Sequence, residues 1–137
     1  MATQFHLALP CISINKTKIF YKDVFSAEIG RSDVKWADIN LFTHQITFTE
    51  CGPFKFDCQS YNFNGDILPS FHFGVILLHD EWNKMLERLN AHNVPIASKV
   101  KFLEHKKGAH HSFFVKDPND YTVEFKCFDT PSEVFES

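Results

Sequence analysis

Phe71 to Leu78, FHFGVILL, repeats a stretch near the start of the chain, Phe5 to Pro10, FHLALP. Both read as strands. Alternate side chains of a strand point to opposite faces, so His6 shares a face with Ala8 and His72 with Gly74. The other faces carry Phe5, Leu7 and Leu9 in one copy and Phe71, Phe73, Val75 and Leu77 in the other. Each copy therefore has an apolar side for a core and a side where a histidine stands two residues from a very small side chain. A more polar strand, Tyr121 to Phe128 (YTVEFKCF), offers a carboxylate, Glu124, between Thr122 and Lys126 on its own face. Two imidazoles and one carboxylate are a set that holds divalent metals. Taken singly, each has an ordinary alternative: a strand histidine is usually hydrogen-bonded, and a glutamate between Thr and Lys usually faces solvent. The repeat favours the metal reading.

Working outward, the rest of each half follows one order. Asn15 is placed to cap a helix to about Phe25, with Ile19, Phe20, Val24 and Phe25 on one face. A strand at about Glu28–Lys35 is expected to precede strands at Trp36–Phe42 and His44–Glu50, with Thr43 in the turn. After FHFGVILL, Asp80 is placed to cap a helix, DEWNKMLERLNAH, whose Trp82, Met85, Leu86 and Leu89 follow i, i+3, i+4, i+7, with Pro95 just beyond. Strands at Ser98–Glu104, His111–Lys116 and Tyr121–Phe128 follow, the last two joined by the turn Asp117-Pro118-Asn119-Asp120. Thr130-Pro131-Ser132-Glu133 predicts a short terminal helix. Between the halves, residues 51–70 read as a linker punctuated by Gly52-Pro53, Asn64-Gly65 and Pro69, whose Phe54, Phe56, Tyr61 and Phe63 are available as a flap over a cavity. The expected fold is α+β: two βαβββ modules forming a curved mixed sheet around a metal or ligand cavity.

At 137 residues, one domain is expected (modules 4–50 and 71–128, tail 129–137), and 44% hydrophobic content with 16 Phe fills a core and lines an apolar cavity. A net charge of −3 without a basic block argues against nucleic acid or an anionic membrane surface as partner. The first residues lack the basic start and apolar length of a signal or membrane span, so a cytoplasmic protein is expected. Cys11, Cys51, Cys58 and Cys127 lack CxxC spacing and read as buried or semi-buried reduced thiols.

FHLALP, IFYKDVF, FHFGVIL and above all FFVKDPNDYTVEF resemble the vicinal oxygen chelate superfamily, which includes glyoxalase I, bleomycin-resistance proteins, fosfomycin-resistance enzymes and extradiol dioxygenases. The resemblance covers almost the whole chain. It implies that His6, His72 and Glu124 are metal ligands, with Glu124 also the catalytic carboxylate. It pairs Thr47 with Glu124, so a threonine stands where glyoxalase I has a fourth ligand. That moves the set towards the two-His, one-carboxylate arrangement of extradiol dioxygenases and fosfomycin-type enzymes. Ser26, Thr43 and Asp120 stand where relatives often have glycine, and Tyr121 follows where Asn is common.

The implied function is a metal-dependent dioxygenase or lyase whose small-molecule substrate chelates Fe2+ or Mn2+, with Ni2+ or Zn2+ as alternatives, through adjacent oxygens. The competing reading is a metal-free binding protein of the bleomycin-resistance type that sequesters a hydrophobic compound. A homodimer is implied, with the site inside one chain or shared between two. Of the remaining histidines, His110 and His111 open a strand, and alternation sends them to opposite faces, so one is available to the cavity; neither is assigned as a base.

Overall fold

The computed structural model describes residues 2–136, which form two compact units: 2–56 with Asp117–Asp120, and 57–116 with 121–136. In the first, β1 (His6–Cys11), α1 (Ile14–Asp23), β2 (Glu28–Ser32), β3 (Trp36–Leu41) and β4 (His44–Glu50) give a four-stranded sheet of order β1-β4-β3-β2. β1 runs parallel to β4 and the other neighbours are antiparallel. Leu7, Leu9 and Cys11 of β1 lie on the face of Ala37, Ile39, Leu41, Ile46 and Phe48, where Tyr21 of α1 and Phe25, just beyond the end of that helix, pack; Tyr21 meets the rings of Phe25 and Phe48 at 5.2 and 5.1 Å.

The helix differs from expectation. Ser13, not Asn15, is the cap, its Oγ accepting from the Lys16 N–H at 3.3 Å, while the Glu50 carboxylate accepts the Ile14 N–H at 2.9 Å. Its buried stripe is Ile14, Thr17 and Tyr21, whereas Ile19 is 60% exposed. Thr17 and the Tyr21 hydroxyl are buried because the Asp117–Asp120 turn docks there. Tyr21 Oη donates to Asp117 Oδ2 at 2.9 Å, Asn119 Nδ2 donates to Thr17 Oγ1 at 3.2 Å, and the Ile12 N–H donates to Asn119 Oδ1 at 2.8 Å. The Asp-Pro-Asn-Asp run thus makes a turn and also clamps α1.

In the second unit, β5 (Ser60–Phe63) and β6 (Asp66–Pro69) form a hairpin inside the stretch read as a linker. β7 (Phe73–Ile76), α2 (His79–Ala91), β8 (Ser98–Phe102), β9 (His110–Lys116) and β10 (Thr122–Phe128) repeat the first unit, with sheet order β7-β10-β9-β8 and β7 parallel to β10. The strand read over Phe71–Leu78 is shorter, and His72 stands just before it. α2 starts at His79 with Leu78 as cap, so Asp80 lies in its first turn. Trp82, Met85 and Leu89 are its buried face; the Trp82 indole packs 5.0 Å from Phe113 and donates to the Phe125 carbonyl at 2.8 Å. The terminal helix is one 3-10 turn, Pro131–Glu133. The fold is α+β, with its strands bonded as two four-stranded mixed sheets rather than one continuous sheet.

Strand register makes the repeat quantitative. Ala8 pairs with Thr47 across β1 and β4, and Gly74 pairs with Glu124 across β7 and β10. With each histidine two residues earlier, His6 corresponds to His72 and Thr47 to Glu124. Ser26, Thr43 and Asp120 have φ of 59°, 72° and 68°, the left-handed region that favours glycine. Gly74 is required for another reason: a Cβ there would overlap the backbone of Glu124, so its absence lets β7 approach β10 closely.

Candidate metal centre

Alternation in β8, β9 and β10 puts Phe102, His110, Ser112, Phe114, Glu124 and Lys126 on one face of the second unit's sheet, opposite the face that packs on α2. His72 is brought to the same place by the chain entering β7. Its Nε2 lies 3.1 Å from Glu124 Oε2, and its Nδ1 lies 3.1 Å from the Pro69 carbonyl. A carbonyl only accepts, so Nδ1 carries a proton and Nε2 is the nitrogen presented to Glu124. The other carboxylate oxygen accepts from Ser112 Oγ at 2.7 Å and has the Lys126 ammonium at 3.8 Å.

Glu124 is 7% exposed, so the solvent-facing alternative is excluded. Burial pushes its carboxyl up, but the hydrogen bonds from His72 and Ser112 and the Lys126 charge outweigh it, and the group is held below the ordinary carboxylate range. The Glu124 hydrogen bond raises His72 above the ordinary imidazole value, against burial and with help from the Pro69 carbonyl. Both directions have one cause, the contact between His72 Nε2 and the Glu124 carboxylate, which favours the charged form of each.

The same geometry fits a divalent ion. Two ligand atoms bound to one ion at about 2.1 Å lie about 3.0 to 3.4 Å apart for square or tetrahedral angles, which spans the pair's separation. A histidine whose other nitrogen donates to a carbonyl, and a carboxylate oriented by a hydroxyl, have the outer hydrogen bonds of metal ligands.

His72, Glu124 and Lys126 border a cavity of about 180 Å³ walled by Tyr61, Phe63, Leu68, Phe102, His110 and Phe114. Tyr61 and Phe63 come from the hairpin, so these two members of the anticipated flap are the ones at this cavity. His110, not His111, faces it: His110 lies 4.8 and 4.7 Å from the Phe102 and Phe128 rings, and its Nδ1 donates to the Gly108 carbonyl at 2.8 Å. His111 turns to the α2 face, with its ring 4.5 Å from Trp82. His44 Nδ1 accepts from the Phe5 backbone N–H at 3.0 Å.

His6 belongs to the first unit, exposed on the face of edge strand β1 opposite α1. On that face Thr47 is engaged: its Oγ1 donates to Asp38 Oδ1 at 2.7 Å, and Arg31 Nε donates to Asp38 Oδ2 at 3.0 Å. Burial raises Asp38, but Thr47, Arg31 and His6 outweigh it and hold the carboxyl below its ordinary range. The first unit thus keeps a buried carboxylate one strand over from the Thr47 position. Asp38 was missed because alternation puts it with Trp36 and Asn40 on the polar face of β3, and its burial there depends on Thr47 and Arg31, which only the strand pairing brings to it. Ser112 was missed because nothing in the sequence pairs it with Glu124. Cys11 and Cys127 are buried as expected, but Cys51 and Cys58 are exposed; all four are free thiols.

Comparison of the sequence with known protein families and with curated proteins finds no match. Solved structures do match over nearly the whole chain. A glyoxalase/bleomycin resistance protein/dioxygenase from Alicyclobacillus acidocaldarius has a TM-score of 0.81 at 18% identity, covering 97% of this chain and 96% of that one. The fosfomycin resistance protein FosX from Listeria monocytogenes has a TM-score of 0.71 at 19% identity in a monoclinic form, covering 100% and 99%. FosX complexed with Mn(II) and sulfate has a TM-score of 0.65 at 18% identity, covering 97% of each chain. With its two βαβββ units, each pairing a first strand in parallel with a last, the chain has the fold of the vicinal oxygen chelate superfamily.

Proposed function

We propose that this chain is a metal-dependent enzyme whose small substrate chelates a divalent ion through two adjacent oxygens, with His72 and Glu124 as two of the ligands. What carries the reading is the His72–Glu124 pair at the wall of an aromatic cavity, its Nε2 free to point at the carboxylate because Pro69 holds Nδ1. His6 is proposed as the third ligand on its equivalence to His72 in the repeat, supplied by the same chain or by a second copy in a homodimer. Such an ion would supply a Lewis acid for the substrate's two adjacent oxygens.

The chain's own groups supply the rest. Tyr61, Phe63, Phe102 and Phe114 exclude water from one side of the substrate and favour an apolar or aromatic body. Lys126 places a positive charge beside the developing oxyanion. His110 is the proposed proton acceptor: with Nδ1–H given to Gly108, its Nε2 carries the lone pair. A cavity of about 180 Å³ suits a catechol or 2-hydroxy ketone better than sequestration of a large hydrophobic compound.

The test is reconstitution with iron(II) under anaerobic conditions, then with oxygen, with manganese(II), nickel(II) and zinc(II) in parallel, against catechols and 2-hydroxy ketones. Oxygen uptake identifies a dioxygenase, and turnover without it an isomerase or lyase. Recovery of an unchanged compound from metal-free protein, with no reconstituted form binding these substrates more tightly, replaces the enzyme by the sequestration reading.

A further inference from the structure

We propose that His79, His111 and Cys127 form a second metal site, on the α2 side of the second unit's sheet, that takes a borderline-soft ion of the zinc class. Glu124 and Cys127 lie on opposite faces of β10, so this cluster shares no ligand with the His72–Glu124 pair. Cys127 and His111 are directly opposed in the antiparallel pairing of β10 with β9, and both face α2. His79 is the first residue of that helix. One ligand atom from each of the three lies within 4.8 Å of the others.

The surroundings hold these groups for a ligand. Trp82 meets the His111 ring edge-on at 83°, and its own N–H is fixed on the Phe125 carbonyl, so one wall is rigid. Asp129 Oδ1 lies 3.4 Å from His111 Nδ1, the kind of carboxylate that orients a ligating imidazole. The contact of the Cys127 thiol with the Phe128 carbonyl is long, 3.8 Å, so an ion displaces little. Two imidazoles and a thiolate favour zinc(II) or copper(I) over manganese(II) or magnesium, which prefer oxygen. The two faces of one sheet would then sort ions by ligand softness. His79 is exposed, so the remaining coordination position opens to solvent. Binding would tie the start of α2 to the two central strands.

Cobalt(II) serves as a spectroscopic stand-in for zinc(II), in full-length protein with the exposed thiols removed by Cys51→Ser and Cys58→Ser. The expected result is a thiolate-to-cobalt charge-transfer band in the near ultraviolet that saturates at the intensity of one thiolate ligand per chain and is abolished by competing zinc(II). Cys127→Ser should remove the band. His79→Ala, at an exposed position that does not threaten the core, should weaken cobalt binding at least tenfold, and Asp129→Asn about 10- to 100-fold. Glu124→Gln should leave the band unchanged, which separates this site from the proposed catalytic one. Absence of the band in the parent protein overturns the proposal. So does a band that survives Cys127→Ser, or one insensitive to His79→Ala.

Discussion

Replacing Glu124 by Gln removes the charge from a side chain that is 7% exposed while keeping its shape. In the parent, one carboxylate oxygen accepts from Ser112 and the other faces His72 Nε2, with His72 Nδ1 on the Pro69 carbonyl. A glutamine answers both contacts: its amide oxygen accepts from Ser112, and its amide N–H donates to Nε2 of a neutral His72. Charge-assisted hydrogen bonds contribute about 1.5–3 kcal/mol and neutral ones about 0.5–1.5, so two conversions cost about 2 kcal/mol, partly offset by no longer burying a charge. The expected loss is therefore about 1–2 kcal/mol, read from the urea midpoint at unchanged slope. Glu124→Ala leaves His72 and Ser112 without their partner and should cost about 3–5 kcal/mol. In Glu124→Gln the His72 titration, followed by NMR, should fall, because the Glu124 hydrogen bond is the first cause of its elevation and burial opposes it. Equal losses for Gln and Ala, or an unmoved His72 titration, would refute the pairing.

Other outcomes follow from the same geometry. His72 has a raised folded value, so its contribution to stability is complete below the ordinary 6.5 and is lost as pH rises through the raised value. Glu124 has a lowered folded value, so its contribution is complete above the ordinary 4.5 and is lost as pH falls through the lowered value. The pair's contribution should therefore be greatest between pH 4.5 and 6.5, and a denaturation series showing the same pH profile in His72→Gln would contradict this. Gly74→Ala should cost about 2–3 kcal/mol and lower metal affinity by displacing β7 from β10; a neutral effect would mean that the close approach is not required. Thr43→Gly should stabilise by about 0.5–1 kcal/mol, since Thr43 has a φ of 72° in a two-residue turn, and thermal melts would detect its failure. Mixing His6→Ala with Glu124→Gln subunits should restore activity if the site is shared between chains, because one of the two sites then has every ligand; no recovery places all three ligands in one chain.

The repeated FHLALP and FHFGVILL, with the period of α2, carried most of the fold, because alternation and helical spacing are local properties. The pairing of Thr47 with Glu124 was also legible, since both follow from counting back to a turn, and register puts them opposite Ala8 and Gly74. Left-handed backbone at Ser26, Thr43 and Asp120 agrees with the resemblance, which puts these three residues where the resembled family often has glycine. What stayed hidden depends on partners distant in sequence. The Ser13 cap and the Ile14–Thr17–Tyr21 stripe make sense only once Glu50 and Asn119 meet α1. Asp38 sits one strand away from the position that the repeat marks. Cys127 and His111 come together through register, and His79 joins them through the start of α2. That His110 rather than His111 lines the cavity required knowing which face α2 covers.

Whether His72 and Glu124 hold a metal is read from metal content. Wild type, Glu124→Gln and Lys126→Gln are purified side by side without chelator, reconstituted with manganese(II) or iron(II), desalted and analysed for metal per chain. A divalent ion should be retained in wild type and in the Lys126 variant and lost in Glu124→Gln, whose circular dichroism should remain that of the folded protein and whose melting should fall only by the few degrees that a loss of about 1–2 kcal/mol gives. Equal metal content in wild type and Glu124→Gln would contradict it.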